Sequence, residues 1–133
     1  MDYFVIEEKL PSLNDVIDKN RTNRYAGAKY KKDIEEKISY YIYDAVSKGT
    51  LHKQEKPCIV YVDFYEHNKK RDVDNIISGG TKFILDALVQ SKIILNDNRK
   101  YVKQVRCNVY DDAKDYVVVK LTEYSESDID NKS

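Results

Sequence analysis

Residues 58–97 read CIVYVDFYEHNKKRDVDNIISGGTKFILDALVQSKIILND, and the fold turns on how this stretch is divided. Its opening, Cys58 to Tyr65, is a nearly continuous apolar run rich in β-branched and aromatic side chains. Such a run predicts a central strand covered on both faces. His67 to Arg71 follow as a polar, basic loop. Asn75 to Gln90 then predict a helix whose buried side is Phe83, Ile84, Ala87 and Leu88, broken or bulged at Gly79-Gly80. A rigid strand that delivers the chain to an exposed loop is a common mount for chemistry.

Upstream, Tyr3 to Ile6 predict a first strand that ends at Pro11-Ser12, where Ser12 or Asn14 caps a short helix through Ile17. The stretch from Asp18 to Lys32 reads as a polar, basic lead-in interrupted by Gly27. Residues 31–48 are the clearest helix: Ile34, Ile38, Tyr41, Ile42 and Ala45 form one apolar stripe, and Gly49 is placed to stop it. Downstream, Val102–Tyr110 and Tyr116–Glu123 alternate as strands around the turn Asp111-Asp112-Ala113-Lys114, which predicts a hairpin. The expected order is β-α-α-β-α-β-β. It describes a single α/β (α+β) domain over residues 1–124, with a mixed sheet of about four strands and helices packed on it. Residues 125–133 read as an acidic, Ser-rich, flexible tail.

The formal net charge of zero argues by itself against strong nonspecific nucleic-acid binding. The zero sums unlike parts, however. Residues 19–37 hold seven Lys/Arg against three acids, and the chain from Leu121 holds four acids against one Lys. Lys19, Arg21, Arg24, Lys29, Lys31 and Lys32 make a basic arm interleaved with Tyr25 and Tyr30, and Lys69, Lys70 and Arg71 make a second basic run. Cations for a phosphate backbone and rings for exposed bases are what such surfaces offer to DNA. No apolar run approaches the ~18–20 residues of a membrane helix and no signal peptide is evident, so the expected compartment is the cytoplasm. Cys58 and Cys107 lie far apart with no CxxC, as reduced core cysteines do.

Three carboxylates stand out: Asp72, Asp74 and Asp97. Two residues apart in a helix, Asp72 and Asp74 would point about 200° from each other; in an extended segment they share a side. Converging carboxylates repel unless a cation binds or one takes up a proton. A hard divalent ion such as Mg²⁺ resolves that cost, using one or two carboxylates and keeping several waters. Asp97 would complete such a site, and Lys82 would stand by as a fixed cation for phosphoryl oxygens. On spacing alone, a D-x-D-N stretch beside Lys and Arg is more often a turn with surface ion pairs.

The order of motifs is more specific. Pro11-Ser-x-Asn14, Asp72-x-Asp74-Asn75, Lys82, Asp86-Ala-Leu88 and Asn96-Asp97 before Tyr101-Val102 resemble, in sequence order, the signature of the RusA family of Holliday-junction resolvases, common in phages and prophages. The resemblance spans most of the chain. It implies a homodimer that nicks four-way or branched DNA in recombination and repair, using Mg²⁺ or Mn²⁺ and no organic cofactor. It also implies Asp72, Asp74 and Asp97 as catalytic metal ligands, Lys82 as the catalytic lysine, and Asp86 as a structural partner of Lys82. Two departures stand against the family pattern. Lys82 follows Asp74 by eight residues where the family prototype has four, which leaves Lys70 as a substitute unless the glycines bulge. Asn96 replaces the first Asp of the family's acidic pair. Both departures keep open a catalytically weak or inactive branched-DNA-binding module.

Overall fold

The computed structural model describes residues 1–125. Strand β2 (Cys58–Glu66) lies inside the sheet between β3 (Val102–Asp111) and β4 (Tyr116–Glu123). β3 runs parallel to β2 and β4 antiparallel to it, with β1 (Asp2–Ile6) antiparallel on the far side of β4, in the order β1-β4-β2-β3. The expected hairpin of the last two strands is therefore not paired: β2 is inserted between its arms. Alternation and a short turn establish only that two strands run in opposite directions with their ends close. Crossing one intervening strand takes about 10 Å, within reach of four residues. The crossing chain is pinned to the end of β2, where Asp112 N donates to Glu66 O at 3.0 Å and His67 N donates to Asp115 Oδ1 at 2.8 Å.

One face of the sheet is buried and the other is largely open. Val60, Val62, Phe64, Phe4, Ile6, Val117, Val119 and Leu121 all belong to the core cluster. On the other face of β2, Ile59 is buried but Tyr61, Asp63 and Tyr65 are only half-buried, so the expectation of a strand covered on both faces is corrected. They pair across the strands instead. Tyr65 stacks between Tyr116 (4.4 Å) and Tyr110 (5.2 Å), Arg106 lies over Tyr61 at 5.5 Å, and Asn108 donates to Asp63 at 3.2 Å. Aromatic side chains satisfy an apolar-looking run while tolerating water on their outer faces.

Helices α2 (Arg24–Lys48) and α3 (Val73–Gln90) cover the buried face, and α1 (Leu13–Thr22) packs on these two helices. In α1 Ser12 and Asp15 form a reciprocal capping box, with Asp15 Oδ2 accepting from Ser12 N at 2.9 Å. α2 begins one residue after Asn23, whose Oδ1 accepts from Ala26 N at 2.6 Å. The polar lead-in expected over residues 18–32 is thus helical on both sides of Asn23; a basic stretch is also what an exposed helix face looks like. Gly49 ends α2 at φ 79°, as read from the sequence. α3 runs unbroken through Gly79 and Gly80, against the expected break. The two glycines serve close approach. A Cβ on Gly79 would lie 2.6 Å from Leu13 N, and one on Gly80 would press on the Phe64 ring. Among the described residues no helix is long and apolar enough to cross a membrane. The tail expected over residues 125–133 falls, apart from Ser125, outside the described residues.

Gly79→Ala is expected to lower the urea midpoint by an amount equivalent to roughly 1–3 kcal/mol of overpacking. This holds although alanine is the better helix former by ~1 kcal/mol. Gly27→Ala, whose Cβ meets mainly the Asn20 side chain, should cost less. Equal midpoints for the two variants would show that the backbone of residues 11–13 yields.

Candidate active site

The strand and helix on either side of residues 67–72 decide what this loop presents. Glu66, the last residue of β2, is buried, and Arg71 turns inward to meet it, with its side chain only 15% exposed. Arg71 Nε stands 3.0 Å from Glu66 Oε1 in an ionic contact whose N–H is not aligned as a hydrogen bond, and Nη1 donates to Leu10 O at 2.9 Å. Burial pushes the Glu66 carboxyl up and Arg71 pulls it back. Arg71 is therefore engaged by the fold, joining β2 to the segment before α1. Lys69 and Lys70 remain exposed in the turn, where Lys70 N donates to Asn68 Oδ1 at 2.9 Å.

Asp72 is the N-cap residue of α3, extended at φ −75°, ψ 145°, but its side chain makes no capping bond; Asp74 lies in the first helical turn. Both are exposed, and among the described residues neither carboxylate meets a protein cation. The positive end of the α3 dipole favours their negative charge. Of the pair, only Asp72 has the extended backbone that the sequence reading required for the two to share a side, because Asp74 is already helical.

Asp97 and Lys82 meet elsewhere. Because α3 is unbroken, the eight residues from Asp74 to Lys82 span about 12 Å of helix axis. Lys82 Nζ reaches toward the C-terminal half of α3, 2.9 Å from Asp86 Oδ1 and 3.6 Å from Asp97 Oδ2. The structure thus brings Lys82 and Asp97 together from fifteen residues apart, with Asp86 as the helical partner read from the sequence. It leaves Asp72 and Asp74 at the head of the helix. The bulge that would have kept Lys82 beside them does not form, since the glycines are used for packing. Among the described residues no three His, Cys, Asp or Glu side chains stand close enough together to hold a metal ion. The bond to Asp86, with Asp97 adding to it, raises the Lys82 pKa, so Lys82 is a standing cation at neutral pH. Asn96 Oδ1 accepts from Asn98 N at 3.1 Å, a turn bond that an aspartate could equally make.

One residue beside this cluster escaped the sequence reading. Glu35, on the inner side of α2, is buried; its Oε2 accepts from Gln90 Nε2 at 3.0 Å while Oε1 has no hydrogen bond. Its signal was a position three residues before Ile38 and seven before Ile42, inside the apolar stripe. Lys31 Nζ lies 3.6 Å from Asp86 Oδ2 and Lys29 Nζ 3.1 Å from Asp33 Oδ2, so two of the four lysines of the basic arm are paired. Lys19 lies over the Tyr30 ring at 5.6 Å. Arg21, Arg24 and Lys32 are exposed without an ion pair among the described residues. Cys58 is buried and Cys107 half-buried, and both are free thiols, as expected.

No family model matches this chain, and no curated protein matches it significantly.

Arg71→Ala leaves Glu66 buried without its cation. A loss of about 3 kcal/mol at neutral pH is expected, shrinking as acid protonates Glu66, while Lys70→Ala leaves the denaturation midpoint in place. For Glu35, burial holds the pKa above the ordinary 4.5, with Gln90 and Lys31 working the other way. Below that value the group is protonated in folded and unfolded chains alike. As pH rises through the folded pKa, ionisation favours the unfolded chain. Glu35→Gln should therefore raise the midpoint at pH 8 and have no effect near pH 4. A uniform shift across that range would mean that packing, and not charge, is responsible.

Proposed function

We propose that this chain is a divalent-metal-dependent endonuclease of branched DNA, working as a homodimer on four-way junctions in recombination and repair. The observation that carries the proposal is the unpaired Asp72–Asp74 couple at the head of α3, next to exposed Lys69 and Lys70 and within the RusA-like motif order. Mg²⁺ or Mn²⁺ held there would supply an activated water and neutralise charge on the scissile phosphate. Asp72 and Asp74 are the residues that would hold it. Lys70, two residues before Asp72 in the chain, is the lysine best placed in sequence to face the same phosphate. Lys82, kept protonated by Asp86, serves as a fixed positive charge for a neighbouring phosphate and not as a base. Arg21, Arg24 and Lys32 offer backbone contacts that position the DNA without reading its sequence. Two copies related by a dyad would match a roughly two-fold junction and make paired cuts.

A second reading has its own support. Lys82 is neutralised by two carboxylates, and Asp97 is held beside it and away from the Asp72–Asp74 couple. A protein so arranged binds branched DNA without cutting it.

The deciding experiment is incubation of a labelled four-way junction and a linear duplex with the protein, in Mg²⁺, in Mn²⁺ and with chelator, beside Asp72→Asn. Metal-dependent paired nicks in the junction, lost in the variant while junction binding persists, are expected. Tight junction binding with no cleavage in either metal would leave the binding module; no binding to either DNA would remove both readings.

A further inference from the structure

Where α1, α2 and α3 meet they enclose a cleft of about 340 Å³. Its size is at the small end of ligand sites. Gly27 and Gly79 line its floor, and Val16, Tyr30 and Phe83 stand among its walls. Asn20, in the last turns of α1, adds the one side-chain amide. A Cβ on Gly27 would fall on Asn20 Oδ1, so glycine on α2 is what lets that amide lie across the helix. The amide makes no hydrogen bond within the described residues, which leaves a donor and an acceptor free for a partner. Lys31 and Lys82 also line the cleft, and Lys19 lies over the ring of Tyr30.

We propose that this cleft takes one unpaired nucleobase of a branched DNA, an inference that rests on the reading above. Each part of the cleft answers to a part of a nucleotide. Aromatic and aliphatic walls suit the flat face of a base, and such stacking tolerates any base. The free Asn20 amide suits a base edge, which presents both donors and acceptors. The lysines suit the phosphates on either side of an extruded nucleotide. The basic residues extend along both helices beyond the cleft, through Arg21, Arg24 and Lys32, so the ligand is a polymer and not a free nucleotide. At a branch point the cost of unstacking a base is lowest, which ties the cleft to branched substrates.

The test uses two fluorescently labelled three-way junctions that differ at one position: an unpaired nucleotide at the branch point, or an abasic residue in its place. Binding is followed by anisotropy. The wild-type protein is expected to bind the abasic DNA about ten-fold more weakly, as loss of one stacked base implies. Ala28→Leu fills the cleft from an exposed helical position, and a thermal melt shows whether it folds as the wild type does. This variant should bind both DNAs alike, at the wild-type affinity for the abasic one. Equal wild-type affinities for the two DNAs, or an undiminished ten-fold difference in Ala28→Leu, would overturn the cleft while leaving the DNA-binding reading intact. Absence of binding to either junction would overturn both.

Discussion

The contact of α3 with the backbone of residues 11–13 and with the Phe64 ring is the constraint on which the remaining structure depends. Two consecutive glycines in the middle of a helix cost about 2 kcal/mol of propensity together. That cost is offset by what their missing Cβ atoms allow: α3 sits directly on β2 on one side and on the start of α1 on the other. The position of α3 then sets everything chemical. Its first turn carries Asp72 and Asp74, its middle carries Lys82, and its far half carries Asp86 and Gln90 against α2. A bulge at the glycines would shorten the distance between Asp74 and Lys82, and it would separate the helix from the sheet.

Charge is handled within local clusters, which reconciles a neutral chain with a DNA-binding proposal. Glu66 and Arg71 answer one another in the interior; Lys82 lies between Asp86 and Asp97, and Lys31 beside Asp86. Burial raises the pKa of both interior carboxylates, Glu66 in spite of Arg71 and Glu35 in spite of Gln90 and Lys31. Among the described residues, Asp72 and Asp74 and the cations Arg21, Arg24, Lys32, Lys69 and Lys70 are exposed groups without an ion pair. The endonuclease proposal rests first on these uncompensated groups, while Lys31 and Lys82 would meet a phosphate as cations already held in place by carboxylates.

The sheet shows how far a one-dimensional pattern reaches. The sequence of β2 and the two later strands specified their number, their approximate ends and the alternating buried residues Val117, Val119 and Leu121. It did not specify who pairs with whom. The insertion of β2 between β3 and β4 depends on Asp112 and Asp115 bonding to the end of β2 across nearly fifty residues of chain. No periodicity within either segment registers that. Tyr61 and Tyr65 likewise read as core in a linear scan and proved to be a half-exposed cross-strand ladder.

By itself the sequence determined the element order, the single α+β domain, a helix start at Ser12 or Asn14, the helix stop at Gly49, and the partnership of Lys82 with Asp86. Each of these is local, set within about one turn or one strand by propensity, capping and spacing. Tertiary structure alone decided that α3 stays straight, that Arg71 faces inward, and that Asp97 joins Lys82 instead of the Asp72–Asp74 couple. Those outcomes depend on which distant backbone occupies the space beside a given Cα, and on which buried charge must find a partner. Both quantities are defined only once the chain has closed on itself.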